Sequence, residues 1–330
     1  MHCTYAASPH EVFRLVGEGA FALRIKVIGM FTVLVLGLTG LPAGAATSWP
    51  GDSATKYADG TNVFGTNLSG LSFESPGVVW AVRNGPSTLY RLVPSGSTWK
   101  VDQKRSLEFA DGQGDPDAEG VVSTPDGLFV AVERDNDDGD VSTPKILKYG
   151  TGSNAAAEWE LGGMPEVDPN DGPEAISWVP DSFLTRNGFK DDSGRTYDPA
   201  EYPGHGSGLF LVGLEATGEV YVYALQGSGA KLLSRFASGQ SQVMDLEFDG
   251  GKLWSLCDNH CSGRTTTLAI SSGRFKVTAT YNRPSSLPNV NLEGFTISPS
   301  CVNGKKVVLW SDDDNTSSHA LRSGTLTCTG

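Results

Sequence analysis

Past about residue 66 the chain runs in short stretches where apolar and polar residues alternate, the period of strands with one buried face. In "NLEGFTIS", residues 291–298, Phe295 and Ile297 alternate with polar neighbours, yet Glu293 and Gly294 open the run. A charge at such a position is costly unless something compensates it. The stretch has counterparts in "NLSGLSF" from 67, "DAEGVVS" from 117, "GPEAISWV" from 172 and "VMDLEFD" from 243. Aligned on Ser69, Glu119, Glu174, Asp245 and Glu293, they are spaced by roughly 50, 55, 71 and 48 residues, the range of propeller blades.

The flanks repeat as well. A second apolar run follows each opening strand ("VVWAVRN", "LFVAVERD", "LFLVGLE", "LWSLCDN", "VVLWSDDD"), then a third ("TLYRLV", "KILKYG", "EVYVYAL", "TTLAIS", "ALRSGTL"). Four units add a more polar fourth, as in "TWKVDQKRSLEF" and "KLLSRFAS". Four short antiparallel strands per unit with Gly-rich turns predict an all-β chain, a β-propeller of five four-stranded blades. The last unit runs out near Thr327, so residues near 54–66 are expected to supply its fourth strand and close the ring. A sixth blade is the alternative, hidden in the long third unit. Residues 180–207 of that unit are rich in turn formers and read instead as an insertion, on the face opposite the acids.

In a blade the first strand lies beside the axis and its neighbour is antiparallel, so the start of strand one and the end of strand two share a face. Glu119, Glu174, Asp245 and Glu293 are thus expected to ring one mouth of the channel, with Ser69 in the first blade's place. Glu133, Glu215, Asp258 and Asp312 form an outer ring, with Arg83 in the first blade. The loops "DGQGDPD", "RDNDDGD", "EVDPND" and "SDDDN" join the same face. Carboxylates so concentrated repel one another unless cations bind. Oxygen ligands without clustered His or Cys favour Ca²⁺ over zinc. Arg83, Arg134, Arg264, His260 and His319 fall on this face too and suit phosphate. Each position has a structural reading beside the functional one. An acid at a strand start can accept from backbone amides of the next blade, the glycine after it (Gly70, Gly120, Gly294) can let backbones approach near the axis, and an arginine can sit in a surface ion pair. No G-x-S-x-G nucleophile elbow is present.

A net charge of -13 argues against nucleic acid or an anionic membrane as partner. Arg24 and Lys26 precede the apolar run "VIGMFTVLVLGL" and then Ala43-Gly44-Ala45, the pattern of a secretory signal peptide cut after Ala45. The run is too short and wrongly flanked for a membrane span. Residues 1–45 are therefore expected to be a leader, and 46–330 one propeller domain of an exported, monomeric protein. Of the five cysteines, Cys3 lies in the leader. The other four allow three pairings, of which nearness favours Cys257 with Cys261 and Cys301 with Cys328. A zinc site is the rival, weakened because the second pair lacks knuckle spacing.

"DAEGVVSTPDGLFVAVERD", "GPEAISWVPDSFL" and "NLEGFTISP" followed by "VVLWSDDDN" resemble the phytase-like propeller superfamily, including secreted proteins labelled for an esterase-like activity of phytase. The resemblance spans roughly residues 67–327. It implies that carboxylates at the channel mouth hold several calcium ions, which with basic side chains bind phosphate and activate water. By matching position it implies metal roles for Glu119, Glu174 and Glu293, and for Asp245, Glu133, Asp258 and Asp312. Glu119, Glu293 and Arg83 become the catalytic candidates, and Arg83, Arg134, His260, Arg264 and His319 the substrate contacts. Five units rather than six, and few lysines on the acidic face, weigh against phytate itself. The expected function is a secreted calcium-binding propeller that hydrolyses a phosphoester, phytase-like or nucleotidase-like; the alternative is a non-catalytic propeller that binds a glycan or protein partner. Trp80, Trp178, Trp254 and Trp310 fall within the strand pattern and read as core, which leans away from glycan binding.

Overall fold

The structure is a computed structural model that describes residues 45–139 and 141–328; the expected leader lies outside the described residues except for Ala45. The alternating runs pair as antiparallel sheets. A short strand, β1 (Lys56–Tyr57), comes first in the chain. Blade one is β2 (Leu68–Ser75), β3 (Val78–Arg83), β4 (Thr88–Ser95) and β5 (Thr98–Ser106). Blade two is β6 (Pro116–Thr124), β7 (Gly127–Asp135), β8 (Ser142–Tyr149) and β9 (Ala155–Glu160). Blade three is β10 (Pro173–Pro180), β11 (Gly208–Leu214), β12 (Glu219–Gln226) and β13 (Gly229–Ala237). Blade four is β14 (Asp245–Asp249), β15 (Lys252–Leu256), β16 (Thr265–Ser271) and β17 (Arg274–Tyr281). Blade five is β18 (Leu292–Ile297), β19 (Lys305–Asp312) and β20 (Leu321–Thr327), completed by β1. The first strands β2, β6, β10, β14 and β18 neighbour one another in turn, and β18 returns to β2. This is the five-bladed ring expected, and the described residues form no sixth blade. A single parallel bridge, Gly229 to Glu160, joins the outer strands of blades two and three.

Closure is by side chains as well as strand pairing. β1 lies antiparallel on β20, with Tyr57 opposite Arg322. The Tyr57 ring stacks on His319 with centroids 4.0 Å apart, and the Arg322 guanidinium lies 4.6 Å from its centroid. Asp59 is buried beneath. Its Oδ1 accepts from His319 Nδ1 at 3.0 Å, and its Oδ2 from the amides of Ala320 at 2.9 Å and Leu321 at 3.3 Å. His319 is therefore part of the latch, not the substrate contact expected.

Five apolar clusters fill the gaps between successive blades. Trp254 and Trp310 are buried in the cluster between blades four and five, while Trp80 and Trp178 pack partly buried against others. The insertion follows β10 at the end remote from Glu174, on the face opposite the acids. It forms a short helix, α1 (Asp181–Arg186), which the strand pattern did not predict, and adds Leu184, Phe189, Tyr197 and Tyr202 to the cluster between blades three and four. Both expected disulfides are present, Cys257 to Cys261 and Cys301 to Cys328, which removes the zinc reading. No helix among the described residues is long and apolar enough to cross a membrane.

First strands of adjacent blades form no ladder with each other, and their backbones approach too closely for a Cβ. One placed on Gly70 would lie 2.6 Å from Glu119 O, one on Gly120 2.8 Å from Ile176 N, and one on Gly294 2.4 Å from Ser69 O. Small hydroxyls bridge the same gaps: Ser69 Oγ donates to Glu119 O and Ser311 Oγ to Ser69 O, both at 2.7 Å, while Thr296 Oγ1 accepts from Phe73 N at 3.0 Å. The glycine after each acid thus serves close approach, the structural reading of that position.

Gly120→Ala is expected to destabilise the fold by about 1–3 kcal/mol, the usual cost of forcing extra atoms into packed structure. Gly152→Ala, where no atom lies within 4 Å of the added methyl, should stay within about 0.5 kcal/mol of the parent. Urea unfolding of both variants tests this, and equal stabilities would show that the inner strands can move apart at no cost.

Candidate metal centre

Three carboxylates meet at the acidic mouth of the channel. Asp117 and Glu119 stand two residues apart near the start of β6, and Glu133 near the end of β7. Asp117, Glu119 and Glu133 are all buried, and each offers an oxygen within 4.8 Å of the others'. Oxygens around one Ca²⁺ lie 2.3–2.6 Å from it, so two ligands of the same ion stand at most about 5 Å apart. The triad meets that condition.

What the rest of the chain gives these oxygens is incomplete. Glu119 Oε1 accepts from Asn84 Nδ2 at 3.0 Å, while its Oε2 is buried without a partner. Glu133 Oε1 accepts from Gly172 N at 2.6 Å. Arg134 Nε is 2.7 Å from Asp117 Oδ2 but not aligned to donate to it, so that oxygen also lacks a hydrogen bond. Glu293 lies at the start of β18, its Oε1 accepting from Asn291 Nδ2 at 2.8 Å. Glu293 Oε2 and Asp313 Oδ1 are buried and unpartnered. The charge of Asp117 acts on Glu119, and that of Asp313 on Glu293. Neighbouring carboxylates disfavour each other's ionised form unless a proton or a cation compensates them.

Electrostatics tells the same story. Burial, and then the charges of Asp117 and Glu133, hold Glu119 well above the usual carboxylate range. Burial raises Glu174 likewise, reinforced by Glu119, Glu133, Glu293 and Glu215, and Glu293 likewise, reinforced by Glu119 and Asp313. Burial pushes Glu133 up to about 8, Glu215 to about 7 and Asp313 to about 6. Carboxylates from blades two, three and five therefore share one field.

The remaining candidates divide. Asp245 occupies the matching position of blade four but is used by the fold. Its Oδ2 accepts from Phe295 N at 2.6 Å and Leu71 N at 3.5 Å, and its Oδ1 from Leu246 N at 2.7 Å. It ties blade four to blades five and one and is no metal ligand. Asp312 forms a buried ion pair with Arg322, Nη2 to Oδ2 at 2.8 Å, and also leaves the metal set. Asp258 holds the exposed His260 imidazole, Nδ1 to Oδ2 at 2.8 Å, which raises the histidine's pKa. Arg134 is no free phosphate ligand, because Nη1 donates to Pro169 O at 2.9 Å and Nη2 to Asn170 Oδ1 at 2.7 Å, beside the contact of Nε with Asp117. Arg83 Nε donates to Gly85 O at 3.1 Å and joins no ion pair among the described residues. Arg264 is exposed. The residues missing from the expected set are Asp117, Asp313, Asn84 and Asn291. Asp117 was within reach, since period two puts it on the same side of the strand as Glu119.

No protein-family model and no curated protein matches the chain. Solved structures similar to it include glutaminyl cyclase of Myxococcus xanthus (12% identity, 82% of this chain and 95% of that one, TM-score 0.49). Others are the PQQ-bound aldose sugar dehydrogenase of Streptomyces coelicolor (11%, 83% and 98%, TM-score 0.40) and the β-propeller domain of Cps50 (Swd1) (9%, 79% and 84%, TM-score 0.42). At these scores the likenesses say nothing about activity, and the propeller stands on its own sheet topology.

The raised carboxyls set a pH dependence opposite to that of ion-paired acids. Ordinary values for Asp and Glu are 3.8 and 4.5, whereas Asp313, Glu215 and Glu133 titrate near 6, 7 and 8 in the fold. Between those limits the folded chain holds protons that the unfolded chain has released, so stability falls as pH rises. Melting temperature of the metal-stripped protein is expected to drop steadily from pH 4.5 to 8, and added Ca²⁺ to restore it most at the upper end. A flat profile in calorimetry would contradict the crowding of these acids.

Proposed function

We propose that this protein is a calcium-binding propeller of phytase-like type that hydrolyses a phosphoester at its acidic mouth. The observation that carries the reading is the set of buried, unpartnered carboxylate oxygens facing one another at cation-ligand spacing. The donor set is all oxygen, which suits Ca²⁺ and not zinc. Asp117, Glu119 and Glu133 would hold the ion, with Glu174, Glu293 and Asp313 extending the anionic surface beside them. Bound calcium supplies charge to a phosphoryl oxygen and acidifies a water. Arg134 fixes Asp117 and the loop at 169–170 in position. His260, whose pKa the Asp258 carboxylate raises, and the terminal guanidinium nitrogens of Arg83 are the donors left for a phosphate. Export is part of the same reading and is consistent with the two disulfides.

A second reading is favoured by a specific observation. Arg134, His319 and Arg322 are held by protein partners, so few basic groups at the mouth remain for an anion. On that reading the ion neutralises the acids and the propeller binds a glycan or protein partner without catalysis.

Calorimetric titration of the metal-stripped protein with Ca²⁺, followed by turnover of p-nitrophenyl phosphate and its bis-ester, separates the two. Calcium-dependent turnover supports hydrolysis, tight binding without turnover of either ester supports the second reading, and no binding sinks both. The double variant Glu119→Gln with Glu293→Gln is expected to weaken calcium binding at least tenfold. Without metal it should be more stable than the parent at pH 8, because glutamine removes the cost of holding two carboxyls where their ionised form is disfavoured. At a calcium concentration a hundredfold above the parent's Kd, where the ion stabilises the parent by about 2.7 kcal/mol, a tenfold weaker variant should keep only about 1.4 kcal/mol of that.

A further inference from the structure

Beside the acids, between blades two and three, lies a groove of about 480 Å³. Its walls are mostly apolar and include Pro144, Leu161, Met164, Val167, Pro169 and Leu214. All of them sit at the ends of strands, or in the loops, on the acidic face. The groove and the acid site share a wall, the segment 165–173. Its backbone serves the acids: Pro169 O accepts from Arg134, Gly172 N donates to Glu133, and Gly172 O accepts from Glu215 N at 2.9 Å. Its side chains serve the groove, which Pro173 also lines, next in sequence to Glu174, while Leu214 precedes Glu215. Met164 and Val167 pack partly buried against the core cluster of blades two and three, so the wall is built and not a loose loop.

Resting on the reading just given, we infer that the substrate is a phosphoester carrying a single phosphate and an apolar alkyl or aryl substituent, the phosphate at the acid mouth and the substituent in this groove. Two independent features narrow the class. Among the described residues the mouth has few basic groups for a polyphosphorylated ring, since Arg134 is held by Pro169, Asn170 and Asp117 and Arg83, His260 and Arg264 are what remain. The adjoining groove offers carbon rather than hydrogen-bonding groups along most of its length, which favours a substituent that loses water-exposed apolar area on binding.

The test uses the full mature chain loaded with Ca²⁺ and three non-hydrolysable probes: methyl-, butyl- and phenylphosphonate, with Kd read by calorimetry. Each buried methylene is worth roughly fourfold in affinity, so the butyl and phenyl probes are expected to bind at least tenfold more tightly than the methyl one. In Met164→Gln and in Val167→Asn that preference should collapse to within about twofold, and calcium titration of the same variants verifies that they are folded. Equal affinity for the three probes would overturn the inference while leaving the phosphoester reading intact. No binding of any probe to the calcium-loaded protein would overturn that reading and the inference with it. Binding of phenylphosphonate that persists unchanged after calcium removal would show the groove to be independent of the acids, and would also overturn the inference.

Discussion

The structure depends on how closely five first strands approach around a narrow axis. Each presents an edge of backbone donors and acceptors that no further strand covers, and such edges must be satisfied by something. Here the solution is local. Glycine removes the Cβ where strands touch, serine and threonine hydroxyls reach across, and the Asp245 carboxylate accepts amides from its own strand and two other blades. The same small radius brings Glu119, Glu174 and Glu293, from three different blades, into one field. The acidic centre and the glycine pattern are thus two consequences of one geometry.

Acids elsewhere in the ring differ from those at the mouth in what compensates them. Asp312 meets Arg322, Asp249 meets Lys306, and Asp59 meets His319 and two amides. A buried charge with a fitted partner is a workable structural element, whereas one without it is strongly unfavourable. At the mouth a single guanidinium, that of Arg134, stands beside Asp117, and several oxygens have no partner at all. That imbalance separates the acids at the mouth from those whose charge the scaffold itself compensates.

The two faces are unequal in another way. The insertion between β10 and β11 closes the underside of blades three and four with aromatic packing, Phe189 against Tyr197 and Phe275 and Phe183 against Phe248. On the acidic face, the segment between β9 and β10 lines a groove with its prolines, Met164 and Val167. That groove lies on the flank of the acids, between blades two and three.

Much of the scaffold was legible in the chain because it is periodic. Alternation gave away the strands, the recurrence of an acid or Ser69 near the start of each unit gave the blade count, and the missing fourth strand of the last unit pointed to closure by residues near Tyr57. The cysteine pairs followed from nearness. The site was legible only as a ring of equivalent acids, and the ring is not equivalent. Asp245 aligns with Glu174 yet is shorter by a methylene and reaches backbone amides of the next blade, while Asp117 and Asp313 belong to the centre without holding a repeat position. His319 finds Asp59 across 260 residues of chain, and Arg134 finds Pro169 across 35. Strand, turn and repeat are determined by neighbours in sequence. Whether a given carboxylate meets an amide, a guanidinium or another carboxylate is settled only when ring closure brings distant segments together, because the partner that decides its charge state is not a neighbour in the sequence.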